Sequence, residues 1–250
     1  MAGKIEGIQR ITILNVPVDI LPEDKFEDVI KKLFSDGRNH QIVLLSTYDL
    51  LKARRTGEWR TMIQSASLVI PISKPVIKAA AFLKRPVPVR YEPFDFIIRL
   101  LGVLEHYGKS LYVFGGTRHL VTRATENIRK TFPSLKLVGK HEGHFPKEYQ
   151  ANIIQAIRKA TPTLLLTGKG VPWGERWIFR TMNHFTSGMY LWGSDVLEVF
   201  AKKWERPSHA VFDKGREWIF YVIRKPWKVF RIFRFIWFKM LVLLYRVAGK

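Results

Sequence analysis

Thr163–Trp177, TLLLTGKGVPWGERW, is the stretch on which the reading of the fold turns. Thr163 to Thr167 is a short apolar run of the kind that makes a fully buried strand. Gly168 and Gly170 follow at once, and supply the backbone freedom a tight turn needs when it closes against a ligand. Pro172 stands where a helix can begin, and Glu175, Trp177 and Ile178 continue it with mixed polar and apolar faces. Strand, glycine turn and helix N-terminus together aim free N–H groups and a positive dipole end at an anion. A single G-x-G turn equally serves an ordinary strand–helix connection. An echo lies upstream, however: the apolar run Leu111–Phe114, then Gly115-Gly116, then the amphipathic segment Thr117–Phe132. Two such turns predict a sheet whose loops converge on a phosphate-bearing ligand.

The same rhythm runs through the chain on either side. Periodicity predicts strands over 11–14, 16–20, 41–46, 67–70, 136–138 and 189–192, besides the two already described. Helices are predicted over 23–34, 48–55, 75–83, 94–107, 118–132, 147–160, 174–183 and 196–203. Strands alternating with helices at this spacing give an α/β, doubly wound fold with a mostly parallel sheet covered on both faces.

With 250 residues, 47% hydrophobic and 13% aromatic, the chain buries a sizeable core and is not of disordered type. It has no cysteine, which excludes disulfides, thiolate zinc sites and a cysteine nucleophile. The N-terminus lacks a long apolar core of the secretory kind, and no stretch reaches the ~20 uncharged apolar residues of a spanning helix. A net charge of +21 calls for an anionic partner: nucleic acid, anionic lipid or a phosphorylated substrate.

Around Pro207 the pattern changes, so residues 1–206 read as the α/β domain and 207–250 as a basic, aromatic helical appendage. From Arg216 to Lys250 there are nine Lys or Arg against one acid, Glu217. On a helix, Lys228, Arg231, Lys239 and Arg246 fall on one side, and Phe230, Phe233, Trp237, Leu241 and Leu244 supply an apolar stripe. That composition suits a helix lying in a membrane interface, with Trp227, Lys228, Arg231, Arg234, Trp237, Lys239 and Arg246 meeting headgroups and the acyl boundary. Packing on the core would leave too much Trp and Phe beside positive charge. Spanning the bilayer would place Arg231, Arg234 and Lys239 at its centre, at a cost of several kcal/mol. Nucleic acid is set aside as a partner, because its Lys and Arg contacts come with polar helpers rather than bulky aliphatics.

No metal site is expected. His141 and His144 are the only close pair of histidines, and they fall at a strand end, where hydrogen bonding or sugar contact suits them better than a metal. There is no nucleophile elbow and no Walker loop.

Several segments, taken in order, resemble the WecG/TagA/CpsF glycosyltransferases. They are VPVD at Val16–Asp19, LVIP at Leu68–Pro71, LKRPVPVR at 83–90, FGG at 114–116, LVGKHEGHF at 137–145, GKGVPWGERW at 168–177 and EW at 217–218. The resemblance covers nearly the whole chain. It implies a Rossmann-like domain that binds a UDP-sugar without any further cofactor. It also implies inverting transfer of an N-acetylhexosamine-type sugar to a lipid-diphosphate-linked acceptor, with the appendage docked peripherally on the cytoplasmic face of the cell membrane. On this reading Gly115, Gly116, Gly168 and Gly170 shape the nucleotide site, and Arg90 balances phosphate charge. Ser46, Tyr48, His144 and Glu175 complete the substrate-binding set. A second copy of the chain or a partner transferase is a further candidate partner.

The departures from the family pattern fall on its catalytic set. Where the family reads PDG, with the proposed general base, this chain has Pro71-Ile72-Ser73, and isoleucine cannot accept a proton. Ser46-Thr47-Tyr48 replaces a Thr-Pro-Asn-like turn, Glu92-Pro93-Phe94-Asp95 replaces TGSD, and Gly174 replaces the glutamine of PKQE. Two outcomes follow. Either a neighbouring carboxylate takes the base role, with Glu92 and Asp95 preferred over Asp49, or the protein is an inactive relative that binds a sugar nucleotide, a lipid-linked sugar or a partner.

Overall fold

The computed structural model describes residues 7–206, 208–215 and 231–249. An antiparallel hairpin comes first, β1 (Gln9–Ile13) and β2 (Val16–Ile20). Leu14 and Asn15, both at positive φ, form its two-residue turn, so the strand expected over 11–14 ends one residue early. This hairpin forms its own small sheet. The main sheet is built from β3 (Asn39–Leu45), β4 (Leu68–Pro71), β5 (Ser110–Phe114), β6 (Lys136–His141), β7 (Leu164–Thr167) and β8 (Gly188–Trp192). It is wholly parallel, in the order β4-β3-β8-β7-β5-β6, and helices on both faces make it doubly wound and Rossmann-like.

Alternation along each buried strand decides which face a residue serves. Ile42 and Leu44 of β3, Leu111 and Val113 of β5, and Leu164 and Leu166 of β7 point into one core. That core is closed by α1 (Phe26–Ser35), α5 (Pro93–His106), α6 (Arg118–Thr131) and α9 (Val196–Phe200). The residues between them point the other way and feed two separate clusters. Val43, Leu45 and Val69 meet the hairpin, α2 (Thr47–Ala53), α3 (Glu58–Ser65) and α4 (Lys74–Phe82). Tyr112, Phe114, Leu165 and Tyr190 meet α7 (Gln150–Ala160) and α8 (Arg176–Thr181).

The helix α3 lies in a stretch that sequence periodicity left unassigned. Gly57, at φ +126°, breaks the chain after α2, and only Met62 and Ile63 are buried, a stripe too short to stand out. The helix expected from Gly174 begins at Arg176 instead, because Trp173 and Gly174 both take left-handed backbone after Pro172. The helix expected over 196–203 closes at Phe200, and β6 runs on to His141.

Beyond the sheet, α10 (His209–Asp213) is short, and α11 (Arg231–Val247) is a long helix of the appendage. Phe238, Leu241 and Val242 of α11 are buried in the cluster that holds the hairpin, α2 and α4. Leu241 was expected in the lipid-facing stripe and is a core residue here. Tyr245 adds a hydrogen bond, its hydroxyl accepting from Asn15 Nδ2 at 2.8 Å. No described helix is long and apolar enough to cross a membrane.

Candidate functional site

All six parallel strands end on the same edge, and the residues singled out from sequence lie in the loops there. After β3 and β7 the chain turns onto one face of the sheet, and after β8 and β5 onto the other. The loops part between them, which is where open α/β sheets bind ligands.

At the β6–β5–β7 end, three turns lock together through glycine. A Cβ on Gly115, which sits at φ +149°, would lie 2.7 Å from the Gly168 nitrogen. One on Gly143 would lie 2.8 Å from the Gly170 carbonyl carbon, and one on Gly170 would enter the His144 ring. Backbone hydrogen bonds stitch the same turns: Gly115 N–H donates to His141, Gly116 to Lys169, Gly143 to Gly116 and Gly168 to Phe114. His144 Nδ1 lies 3.2 Å from the Gly116 carbonyl. These glycines therefore allow three backbones to approach one another, and the N–H groups of Gly115, Gly116 and Gly168 are already paired. These three N–H groups, expected to be free for an anion, are therefore taken up in holding the turns together. Between the ends of β7 and β8, Lys169 pairs with Asp195, which sits at the start of α9 but makes no side-chain cap there.

At the β4 end, Ile72 packs against the core of the α5 face, and its carbonyl accepts from Arg90 Nε at 2.9 Å. The Arg90 guanidinium also stacks on Phe212, 3.6 Å from the ring centre, and its Nη1 donates to the Phe212 carbonyl at 2.6 Å. Neighbouring Lys74 donates to the Asp213 carbonyl. The two base candidates are both engaged. Glu92 is the N-cap of α5, its Oε2 accepting the Asp95 N–H at 2.8 Å, and burial raises its pKa. Asp95 pairs with Arg206 at 2.5 Å and lies 3.4 Å from His209 Nδ1. Arg206 and His209 thus lie against Asp95, and Phe212 against Arg90.

Between these two groups, at the end of β3, lie Ser46, Tyr48 and Asp49, the first two expected to bind substrate and the third the less favoured base candidate. Ser46 caps α2, accepting the Asp49 N–H, while its Oγ donates to Asp49 Oδ2 at 2.5 Å. The Ser-x-x-Asp spacing of a capping box was the available signal. Lys52 Nζ lies 3.6 Å from Asp49 Oδ1 and 3.9 Å from the centres of both the Tyr48 and Trp59 rings. Tyr48 is 44% exposed, and Arg234 of α11 stacks over it at 4.7 Å. Across the seam, Arg176 and Arg180 of α8 bind Glu58, and hydrogen bonding from Arg180 holds that carboxyl below its usual pKa. Glu175, one residue before α8, is only 7% exposed. Burial, reinforced by the charge of Asp49 and partly offset by Lys52, pushes its carboxyl well above the usual carboxylate range.

The membrane residues divide. Trp227 and Lys228 lie outside the described residues, as does the side chain of Arg231. Trp237 is exposed beside Phe233, Ile236, Leu243, Leu244 and Val247, on the side of α11 turned from the core. Lys239 stacks on Phe235, and Arg246 is in the last turn. Among the described residues, no three metal-ligating side chains gather.

The chain is similar to the N-acetylglucosaminyldiphosphoundecaprenol N-acetyl-beta-D-mannosaminyltransferase of Bacillus subtilis (strain 168). The two are 19% identical over 222 residues, covering 88% of this chain and 86% of that protein. The family model described as "Glycosyl transferase WecG/TagA/CpsF family" matches residues 11–250, which takes in the whole sheet edge and α11. On that match, together with the parallel sheet and its clustered loops, the chain belongs to the WecG/TagA/CpsF family of glycosyltransferases.

Proposed function

We propose that this protein transfers an N-acetylhexosamine-type sugar, with inversion, from a UDP-sugar to a lipid-diphosphate-linked acceptor in cell-envelope polysaccharide or glycolipid synthesis. The observation that carries this reading is the convergence of the family-matched segments on one sheet edge. Arg90 from the α4–α5 connection, bonded to the β4 loop at Ile72, the interlocked 115–116, 143–144 and 168–170 turns, and Glu175 before α8 come from distant parts of the chain yet share that edge. The curated relative's name describes a sugar transfer to a diphosphate-linked lipid, which supports the acceptor class.

On this reading the donor diphosphate sits at the crevice with Arg90 beside it. A fixed guanidinium opposite the leaving diphosphate stabilises the charge that builds as the glycosidic bond breaks. The exposed apolar side of α11, flanked by Arg234, Lys239 and Arg246, rests on anionic lipid at the cytoplasmic face and brings the site to its lipid-linked acceptor.

Purified protein given UDP-N-acetylhexosamines and a lipid-diphosphate sugar acceptor is expected to release UDP, and Arg90→Ala to slow that release by about 10²-fold or more. No UDP release with any donor contradicts the reading. It leaves the second one, a sugar-nucleotide or lipid-sugar binding protein, which is favoured by the isoleucine at position 72 and would show UDP binding without turnover.

A further inference from the structure

Glycosyl transfer with inversion needs a group that removes the acceptor proton as the new bond forms. Position 72 is an isoleucine, Glu92 is committed to capping α5, and Asp95 is held by Arg206 and His209. Asp195 is paired with Lys169, and Glu58 with two arginines. Asp49 stands apart from these. It lies in the first turn of α2, directly after β3, the strand beside β4. The two loops are stitched together there: Ile72 N–H donates to the Leu45 carbonyl at 3.1 Å, and Thr47 N–H to Ser73 Oγ at 3.2 Å. Asp49 is therefore one loop away from the position that the isoleucine fills. Its Oδ2 is oriented by Ser46, while its Oδ1 has only Lys52, at the loose distance of 3.6 Å.

A second observation points to the same spot. Glu175 is more than nine-tenths buried beside this group, and among the described residues its carboxyl makes no hydrogen bond. Burial and the nearby Asp49 charge both push the Glu175 carboxyl well above the usual carboxylate range, with Lys52 opposing them, so its electrostatics are coupled to this spot.

We propose that Asp49 is the catalytic base of this chain, standing in for the carboxylate absent at position 72, with Glu175 as its positioning residue. The inference rests on the glycosyl-transfer reading given above. Asp49 Oδ1 takes the proton of the acceptor hydroxyl. The oxygen's electron pair closes the new bond to the anomeric carbon, and the bond from that carbon to the donor diphosphate breaks, its electrons leaving on UDP. Lys52, clamped between Tyr48 and Trp59, is placed to meet the acceptor's own diphosphate.

The test compares the full-length wild type with Asp49→Asn, Asp49→Glu and Glu175→Gln, using one UDP-sugar and one lipid-diphosphate acceptor across a pH series. Asp49→Asn leaves the Ser46 cap of α2 in place and keeps an oxygen to accept from the Ser46 hydroxyl, so its melting temperature and its UDP affinity should stay near wild type. Its kcat/KM should fall by about 10²–10⁴-fold, the acidic limb of its pH profile should vanish, and Asp49→Glu should recover part of the rate. Glu175→Gln should lower kcat by about tenfold with KM and UDP affinity near wild type, the split expected of a positioning residue. Wild-type turnover with Asp49→Asn within about threefold of it, or with its acidic limb intact, overturns the base assignment alone. Loss of UDP binding in Asp49→Asn also overturns it, by making Asp49 a binding residue. Absence of wild-type turnover overturns the transfer reading and this inference with it.

Discussion

Single side chains in this protein show how one residue type serves unlike ends. Gly115 and Gly143 are where side chains cannot fit, because the backbone of the next turn occupies the space. Ile72 fills with apolar packing the position where the family resemblance leads one to expect an acid, and of the carboxylates around it Glu92 is a cap, Asp95 is in an ion pair and Asp49 is only loosely paired with Lys52. At the opposite edge of the sheet, Asp36 is held by His40 Nε2 at 2.7 Å and Arg38 at 2.7 Å, with the far side of the buried His40 ring 2.9 Å from Ser67. Partial burial works against the Asp36 charge, but hydrogen bonds from His40 and from the Arg38 backbone and guanidinium outweigh it and lower its pKa from 3.8 to about 2. A carboxyl depressed by folding adds stability above its unfolded pKa and loses it as pH falls through the folded value. Allowing for solvent screening at this partly exposed group, Asp36 contributes about 1 kcal/mol at neutral pH. Denaturant melts should show Asp36→Asn less stable by that amount at pH 7. The gap should close between pH 4 and pH 2; one that stays constant with pH would contradict the assignment.

At the scale of elements, α11 decides how the appendage is used. Phe238, Leu241 and Val242 are core, so Leu241→Ala should cost about 2–4 kcal/mol and lower the melting temperature. Leu243 and Leu244 are exposed, and the double change to serine should leave the melting temperature nearly unmoved while reducing sedimentation with anionic vesicles. Equal vesicle binding by that variant would contradict the membrane role of this face. The division within α11 was only half legible in sequence, since a helix with a broad apolar surface does not declare which part meets protein. The sheet was far more legible: β3, β5, β7 and β8 each contain a short apolar run (Ile42–Leu45, Leu111–Phe114, Leu164–Leu166 and Met189–Trp192) followed by a polar residue or glycine, and local pattern settles them. The helix α3 was missed because Gly57 and a two-residue buried stripe leave almost no periodic signal. In the site, the glycine turns were visible as turns. What they touch was not, because Gly115 meets Gly168, and Asp95 meets Arg206, only after distant segments fold together. The Asp49–Glu175 neighbourhood was hidden for the same reason.

For the whole molecule, the net charge of +21 and the arrangement of cations agree. Arg234 reaches from α11 to Tyr48 at the β3 end, and Arg90 and Lys74 meet residues 212–213 at the β4 end. The segments that follow the sheet are thus tied to the same edge as the proposed donor site, and packed residues join the face proposed to meet lipid to the proposed chemistry. The central claim is that this edge moves a sugar from nucleotide to lipid. The direct measurement is mass analysis of the lipid-diphosphate acceptor after incubation with the full-length protein, a UDP-N-acetylhexosamine and anionic vesicles. The account predicts an acceptor heavier by one N-acetylhexosamine, formed in step with UDP and about 10²-fold more slowly when Arg90 is replaced by alanine. An acceptor recovered unmodified with every donor, while the folded protein still binds UDP, would contradict it.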